Sequence, residues 1–346
     1  MSLRWRSRAS GPCAIRCAPS RKRGWLYAES RTAHRRRTMK RMVSGLLPPI
    51  PTPFDESERV AHERLRSNIE RWNQYGYSGY VILGSNGEFV HLTESERWKV
   101  IETAREAIPS DLLLIAGASY NATREAIEFA RRAASLRADA LLVGTPHYYR
   151  EQITPALLVE HYRRIADASP IPILLYSVPQ FTGVAIAPET VARLAEHPNI
   201  VGIKDSGGNL ATLAEILRLV PSDFSVLTGS AALLHAAMAL GAKGAVLAVG
   251  CIAAKTCLEI MRLAREGDGA RAAELQLRLL PVARAVTTQF GISGLKAALD
   301  VIGFYGGPPR APLPVPDDNM RAEIRAILCA SGLFPELEQA CAHTLS

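Results

Sequence analysis

No apolar run in this 346-residue chain approaches the length a membrane span needs, which argues against a transmembrane helix. Six cysteines occur (Cys13, Cys17, Cys251, Cys257, Cys329, Cys341), with no Cys-x-x-Cys pair and no histidine at zinc-site spacing. A structural zinc is thereby excluded, and reduced thiols in an intracellular protein are expected. No Gly-x-Gly-x-x-Gly opens the first structural unit, which removes the best reason to expect a bound dinucleotide. Positive charge looks abundant, at a net +8, but it is confined. Residues 1–42 hold eleven Arg, two Lys and one acid (Glu29), a balance of +12, which leaves −4 for everything after them. The pI of about 9.3 therefore gives no argument for nucleic-acid binding by the folded part.

The basic arm, 1–42, has no apolar periodicity and no h-region, so it does not read as a secretory signal. It reads either as a mitochondrial transit peptide or as upstream sequence, with Met39 or Met42 as the true start. The excess of Arg over Lys and the wealth of Ala favour the second. A cytoplasmic location is expected, with a mitochondrial one as the alternative.

After the arm the chain settles into a repeat: a short apolar strand ending in small or polar residues, then an amphipathic helix. The strands read at Gly45–Ile50, Gly79–Leu83, Leu112–Ala116, Ala140–Gly144, Pro172–Tyr176, Ile200–Lys204, Ser225–Thr228 and Gly244–Ala248. Strands apolar along their whole length imply burial on both faces, as in a parallel sheet. Helix starts are marked by the capping-box pattern Thr93-Glu-Ser-Glu96 and by Pro155 and Pro188 near first turns. Eight such units in about 210 residues predict an α/β fold of the (β/α)8 barrel kind. Further helical segments at Lys255–Glu266, Gly269–Gln289, Leu295–Ile302 and Asp317–Ala330 suggest a C-terminal helical subdomain. The expected division is a disordered arm over 1–42, a barrel over 43–266 and a helical subdomain over 267–346.

In a barrel of this kind the chemistry sits at the C-terminal strand ends. The most unusual of them is Asn199-Ile-Val-Gly-Ile-Lys-Asp-Ser-Gly-Gly208, where a buried strand ends on Lys204. One reading is a lysine that snorkels to the rim or pairs with Asp205. The other is an amine that burial keeps neutral enough to attack a carbonyl and form a Schiff base. The neighbouring strand ends supply Ser85 and Asn86, Thr145-Pro-His-Tyr-Tyr149, Tyr176-Ser-Val-Pro179, Ser206 and Thr228-Gly229-Ser230. Hydroxyls, phenols and one amine thus converge, without a cluster of His, Asp and Glu at metal-ligand spacing. That set suits a metal-free lyase acting on a keto acid, with no cofactor. Each residue also has a plainer reading. Tyr176 could be core, Ser85 and Asn86 turn formers, and Glu88 a cap or structural pair. His91 and His147 show no partner in the sequence and read as structural.

Gly84-Ser-Asn-Gly-Glu88, Thr145-Pro-His-Tyr-Tyr149, Tyr176-Ser-Val-Pro179 and Ile203-Lys-Asp-Ser206 resemble the motifs of the dihydrodipicolinate synthase/N-acetylneuraminate lyase family of class I aldolases. The likeness runs from about Gly45 to Gly332. Within the family, Gly84–Phe89, Lys204–Gly208, Phe290–Lys296 and Tyr305–Leu313 are most similar to the 4-hydroxy-2-oxoglutarate aldolase branch. The dihydrodipicolinate synthase branch usually has two threonines where this chain has Ser85 and Asn86. It also has an arginine for its aldehyde's carboxylate where this chain has Phe181.

The resemblance implies roles. Lys204 would form the Schiff base, Tyr176 would be the acid/base, and Tyr148 and Ser85 would complete a hydroxyl relay. Amides around Ser85 and Asn86 would hold the C1 carboxylate, as suits the start of a helix. Ser206, Gly229 and the backbone near Val246 would line the rest. Tyr148 would reach across from a neighbouring subunit, in a homotetramer built as a dimer of dimers. The implied reaction is cleavage of 4-hydroxy-2-oxoglutarate to pyruvate and glyoxylate. The alternatives are another pyruvate-dependent aldolase or dehydratase, dihydrodipicolinate synthase-like or acting on a 2-keto-3-deoxy sugar acid, and a catalytically silent keto-acid-binding barrel. The expected partner is a small 2-keto acid, not a nucleic acid or a membrane.

Overall fold

The computed structural model describes residues 43–337; the expectations for the arm, and for residues 338–346, lie outside the described residues. Eight parallel strands run in the order β1-β8-β7-β6-β5-β4-β3-β2. They are β1 Gly45–Leu46, β2 Gly79–Ile82, β3 Leu113–Ala118, β4 Ala140–Gly144, β5 Ile173–Ser177, β6 Ile200–Asp205, β7 Ser225–Thr228 and β8 Gly244–Ala245. The (β/α)8 barrel predicted from the repeat is the fold found. Strand β2 ends one residue early, and β1 and β8 are shorter than expected by three residues or more. Pro48 and Pro49 have no N–H to give a ladder, so β1 ends at Leu46. The seam between β1 and β2 is closed instead by Ile50 N–H to Val81 O at 3.0 Å and Val81 N–H to Pro48 O at 3.0 Å. After Ala245 the chain leaves β8 and coils into a 3₁₀ turn at Ala248–Cys251.

Helices α1 His62–Trp72, α2 Glu94–Ala107, α3 Thr123–Ser135, α4 Pro155–Ala168, α5 Pro188–Ala195, α6 Leu210–Leu219, α7 Leu234–Ala239 and α8 Ala254–Glu266 form the outer layer. The start signals act as expected: Thr93 and Glu96 form a full capping box on α2, and α4 and α5 open on Pro155 and Pro188. Strand alternation then divides the core in two. Residues such as Ile115, Leu142, Leu174, Val201 and Leu227 form a cluster made of strand and strand-flanking residues alone, which fills the barrel. Leu114, Leu141, Leu175 and Ile203 face outward and pack with helix residues such as Phe129, Tyr162 and Leu194. Buried strand carbonyls and amides are satisfied by the ladder between neighbouring strands.

Past the barrel come α9 Gly269–Arg284, a π-helical turn at Ala285–Gln289, α10 Gly291–Val301 and α11 Asp318–Ser331, the last capped by Asp317. The connector between α10 and α11 packs closely on α10. A Cβ on Gly306 would stand 1.9 Å from the Lys296 carbonyl oxygen. Among the described residues no helix is long and apolar enough to cross a membrane. Cys251 and Cys257 are free and buried, whereas Cys329 is disulfide-bonded, which corrects the expectation of reduced thiols throughout.

Candidate active site

Strand register brings the predicted residues together. Tyr176 on β5 pairs with Gly144 on β4 and with Lys204 on β6. A Cβ on Gly144 would stand 2.6 Å from Ser119 Oγ, so glycine there leaves room for the Ser119 side chain. Lys204 is 6% exposed, and its Nζ lies 4.1 Å from the centre of the Tyr176 ring. Tyr176 is itself buried, and its hydroxyl is 3.3 Å from Ser85 Oγ, on the turn after β2. One continuous contact therefore runs from the amine through the phenol to a hydroxyl.

The snorkelling and Asp205-paired readings of Lys204 both fail on geometry. Adjacent strand residues point to opposite faces. Asp205 accordingly turns its carboxylate away, where Oδ1 accepts the Gly207 N–H at 3.1 Å. Burial raises the Asp205 pKa, an effect the Gly207 bond partly offsets. Among the described residues, the one ion pair made by a buried lysine belongs to Lys296, not to Lys204. An ammonium over a phenol ring, with no carboxylate beside it, is weakly compensated for the loss of water.

The other strand ends supply the rest of the lining. A Cβ on Gly229 would stand 1.9 Å from Ser206 Oγ and 3.0 Å from Lys204 Cε, so only glycine fits between those two side chains. Ser206 is held from both sides. Its N–H donates to Ser177 O at 2.8 Å, and its carbonyl accepts Gln180 Nε2 at 2.8 Å. Val246 is buried in the inner cluster and donates its N–H to Thr228 O at 2.9 Å.

Asn86 donates from Nδ2 to Pro49 O at 3.3 Å. The backbone N–H groups of Ser85 and Asn86 make no hydrogen bond among the described residues, although those of Glu88 and Phe89 do. The segment is a turn leading to a single 3₁₀ turn at Phe89–His91, while α2 begins only at Glu94. An anion here would thus be met by turn amides, which corrects the expected helix start. His91, read as structural, has a partner that the sequence did not name: its Nδ1 is 3.2 Å from Glu88 Oε2.

Tyr148 is not gathered in. It is 74% exposed and stacks edge to face on Tyr149 at 5.0 Å. Its backbone N–H is held by Asn121 Oδ1 at 3.0 Å. No hydrogen bond joins it to Ser85 or Tyr176 among the described residues. Phe181, on the one-turn helix Pro179–Thr182 beside the mouth, is also exposed. Sequence reasoning missed Gln180, Thr52 and Lys296, which support the mouth from behind. Gln180 comes after Pro179 and reads as a loop polar residue. Thr52, whose hydroxyl donates to Gly87 O at 2.7 Å, lies among prolines, and Lys296 lies in a helical Leu-Lys-Ala run. None of the three carries a local signal.

Comparison with known proteins identifies the family. Residues 42–331 match the model of the Dihydrodipicolinate synthetase family. A 4-hydroxy-tetrahydrodipicolinate synthase of Methanothrix thermoacetophila is 38% identical over 288 residues, covering 83% of this chain and 96% of the relative. One of Methanopyrus kandleri is 36% identical over 296 residues, 85% of this chain and 98% of the relative. A solved dihydrodipicolinate synthase of Acinetobacter baumannii, complexed with pyruvate, superposes with a TM-score of 0.80 at 31% identity, covering 84% of this chain and 99% of that one.

Proposed function

This chain belongs to the dihydrodipicolinate synthetase family of carbon–carbon lyases, and from that premise we propose that Lys204 is its Schiff-base amine, acting on a 2-keto acid. The observation that carries the reading is the Lys204–Tyr176–Ser85 contact at the mouth: a buried amine without a carboxylate, a phenol against it, and a hydroxyl on the phenol. In the cleavage direction Lys204 Nζ attacks the C2 carbonyl carbon, water leaves, and an iminium forms. Tyr176 takes the C4 hydroxyl proton as the C3–C4 bond breaks. The bonding pair passes into the iminium to give an enamine, and an aldehyde departs. Protonation at C3 and hydrolysis then release pyruvate and regenerate the amine. The free N–H groups of Ser85 and Asn86 meet the C1 carboxylate. Tyr148, exposed in the single chain, is free to complete the relay in a second copy of a homo-oligomer.

Two readings of the aldehyde compete. The names of the relatives favour synthesis, in which the pyruvate enamine condenses with an aldehyde as in the dihydrodipicolinate synthase branch. Phe181, exposed where that branch carries its carboxylate-gripping arginine, and the Ser85-Asn86 pair favour cleavage of 4-hydroxy-2-oxoglutarate to pyruvate and glyoxylate. Purified enzyme given 4-hydroxy-2-oxoglutarate should release glyoxylate together with pyruvate. Release of neither, with pyruvate consumed only when a carboxylate-bearing aldehyde is added, decides for the synthase reaction. No turnover of either substrate by folded protein removes both.

A further inference from the structure

The turn that carries Ser85 and Asn86 ends on Glu88, whose side chain is wholly buried. Its partner is Lys296 of α10, also wholly buried, with Nζ 2.7 Å from Glu88 Oε1. Lys296 Nζ donates as well to Pro308 O at 2.9 Å and lies 4.4 Å from the centre of the Phe54 ring. The second Glu88 oxygen accepts the Arg310 N–H at 2.9 Å and faces His91 Nδ1 at 3.2 Å. Arg310 in turn pairs with Glu96 of α2 at 2.7 Å. Glu88 holds a left-handed backbone, φ 53° and ψ 38°, which a residue with a side chain keeps only where its surroundings impose it. A wholly buried ion pair is a poor device for stability, since apolar side chains of similar volume serve as well. It does fix position.

We propose that Glu88 and Lys296 form a latch that holds the Ser85–Gly87 turn in the conformation that accepts the carboxylate of the 2-keto acid. Both are positioning residues, acting through the turn and not on the substrate. The latch ties the carboxylate-accepting turn to α10 and to the 306–313 connector, so the helices after the barrel serve the site without lining it. Thr52 holds the same turn from the barrel side, through the Gly87 carbonyl. This inference rests on the Schiff-base reading of Lys204.

The test uses the double variant Glu88→Gln/Lys296→Met, which removes both charges and strands neither. Borohydride trapping at Lys204 is measured against pyruvate concentration, and separately with acetone, a carbonyl that has no carboxylate. The latch predicts a half-saturating pyruvate concentration raised about tenfold or more. It also predicts acetone labelling at the wild-type rate and a melting temperature close to wild type. Unchanged pyruvate saturation in the folded variant overturns the latch, as does an equal loss with pyruvate and acetone. Should the double variant not fold, Glu88→Gln/Lys296→Gln, which also removes both charges and leaves a polar side chain at each end of the gap, is read in the same way. A wild type that gives no adduct at all strikes the Schiff-base reading instead, and is recognised as such before any variant is made.

Discussion

Two lysines among the described residues are buried, and they differ in company. Lys296 is enclosed by α10 and the connector, ion-paired to Glu88 and hydrogen-bonded to a carbonyl. Lys204 sits at a strand end beside a phenol ring, and its acidic neighbour points away. Burial alone would nominate either as a reactive amine. Burial pushes Lys296 down to a pKa of about 8, while Glu88 pulls it back up. An amine held between a carboxylate, a carbonyl and the Phe54 ring has no open face for a carbonyl carbon. The difference teaches that a buried amine becomes a nucleophile through what is missing around it, and a structural one through what is present.

That contrast can be broken most severely at Lys204. Lys204→Ala should abolish the pyruvate adduct and lower turnover on the order of 10⁵-fold, with the far-UV spectrum unchanged; adduct kinetics and circular dichroism check both. Tyr176→Phe keeps the ring beside the amine and removes only the hydroxyl. It should lower kcat roughly 10²–10⁴-fold while trapping at Lys204 persists, which separates proton transfer from Schiff-base formation.

Stability should invert the ranking of the two lysines. Lys296→Met leaves Glu88 charged and alone in the core and should cost about 3–5 kcal/mol in urea unfolding. Lys204→Met removes an uncompensated amine and should cost nothing or stabilise. Equal losses would erase the distinction. A third buried base sharpens it further. His161, bonded through Nδ1 to Thr123 Oγ1 at 2.8 Å, is pushed by burial from 6.5 down to about 4, with Arg164 adding to the shift. Its folded form refuses a proton that the unfolded chain accepts, so stability should fall as pH drops from about 6.5 towards 4. The expected loss between pH 7 and pH 5 is about 2 kcal/mol, and His161→Gln should abolish it.

Much of this is legible in the sequence because local chemistry announces it. Eight apolar runs closed by turn residues point to the barrel, and start signals such as the Thr93 capping box, Pro155 and Pro188 mark helix starts. β1 and β8 read too long because hydrophobicity does not register the missing N–H of Pro48 and Pro49 or the coil at Ala248. Lys204 stands out because an amine at the end of an apolar strand is anomalous. Lys296 does not, since a lysine in a helix ordinarily snorkels, and its partner lies across the chain on the β2 turn. Glu88 reads correctly as a structural pair, but nothing local names its partner. Long-range pairing is written in the fold, not in spacing.

The most direct test is peptide mapping after borohydride reduction of the full chain with pyruvate. The comparison of the two lysines predicts one pyruvyl adduct, on the peptide holding Lys204, and none on the peptide holding Lys296. An adduct on Lys296, or no adduct on folded protein, would contradict it.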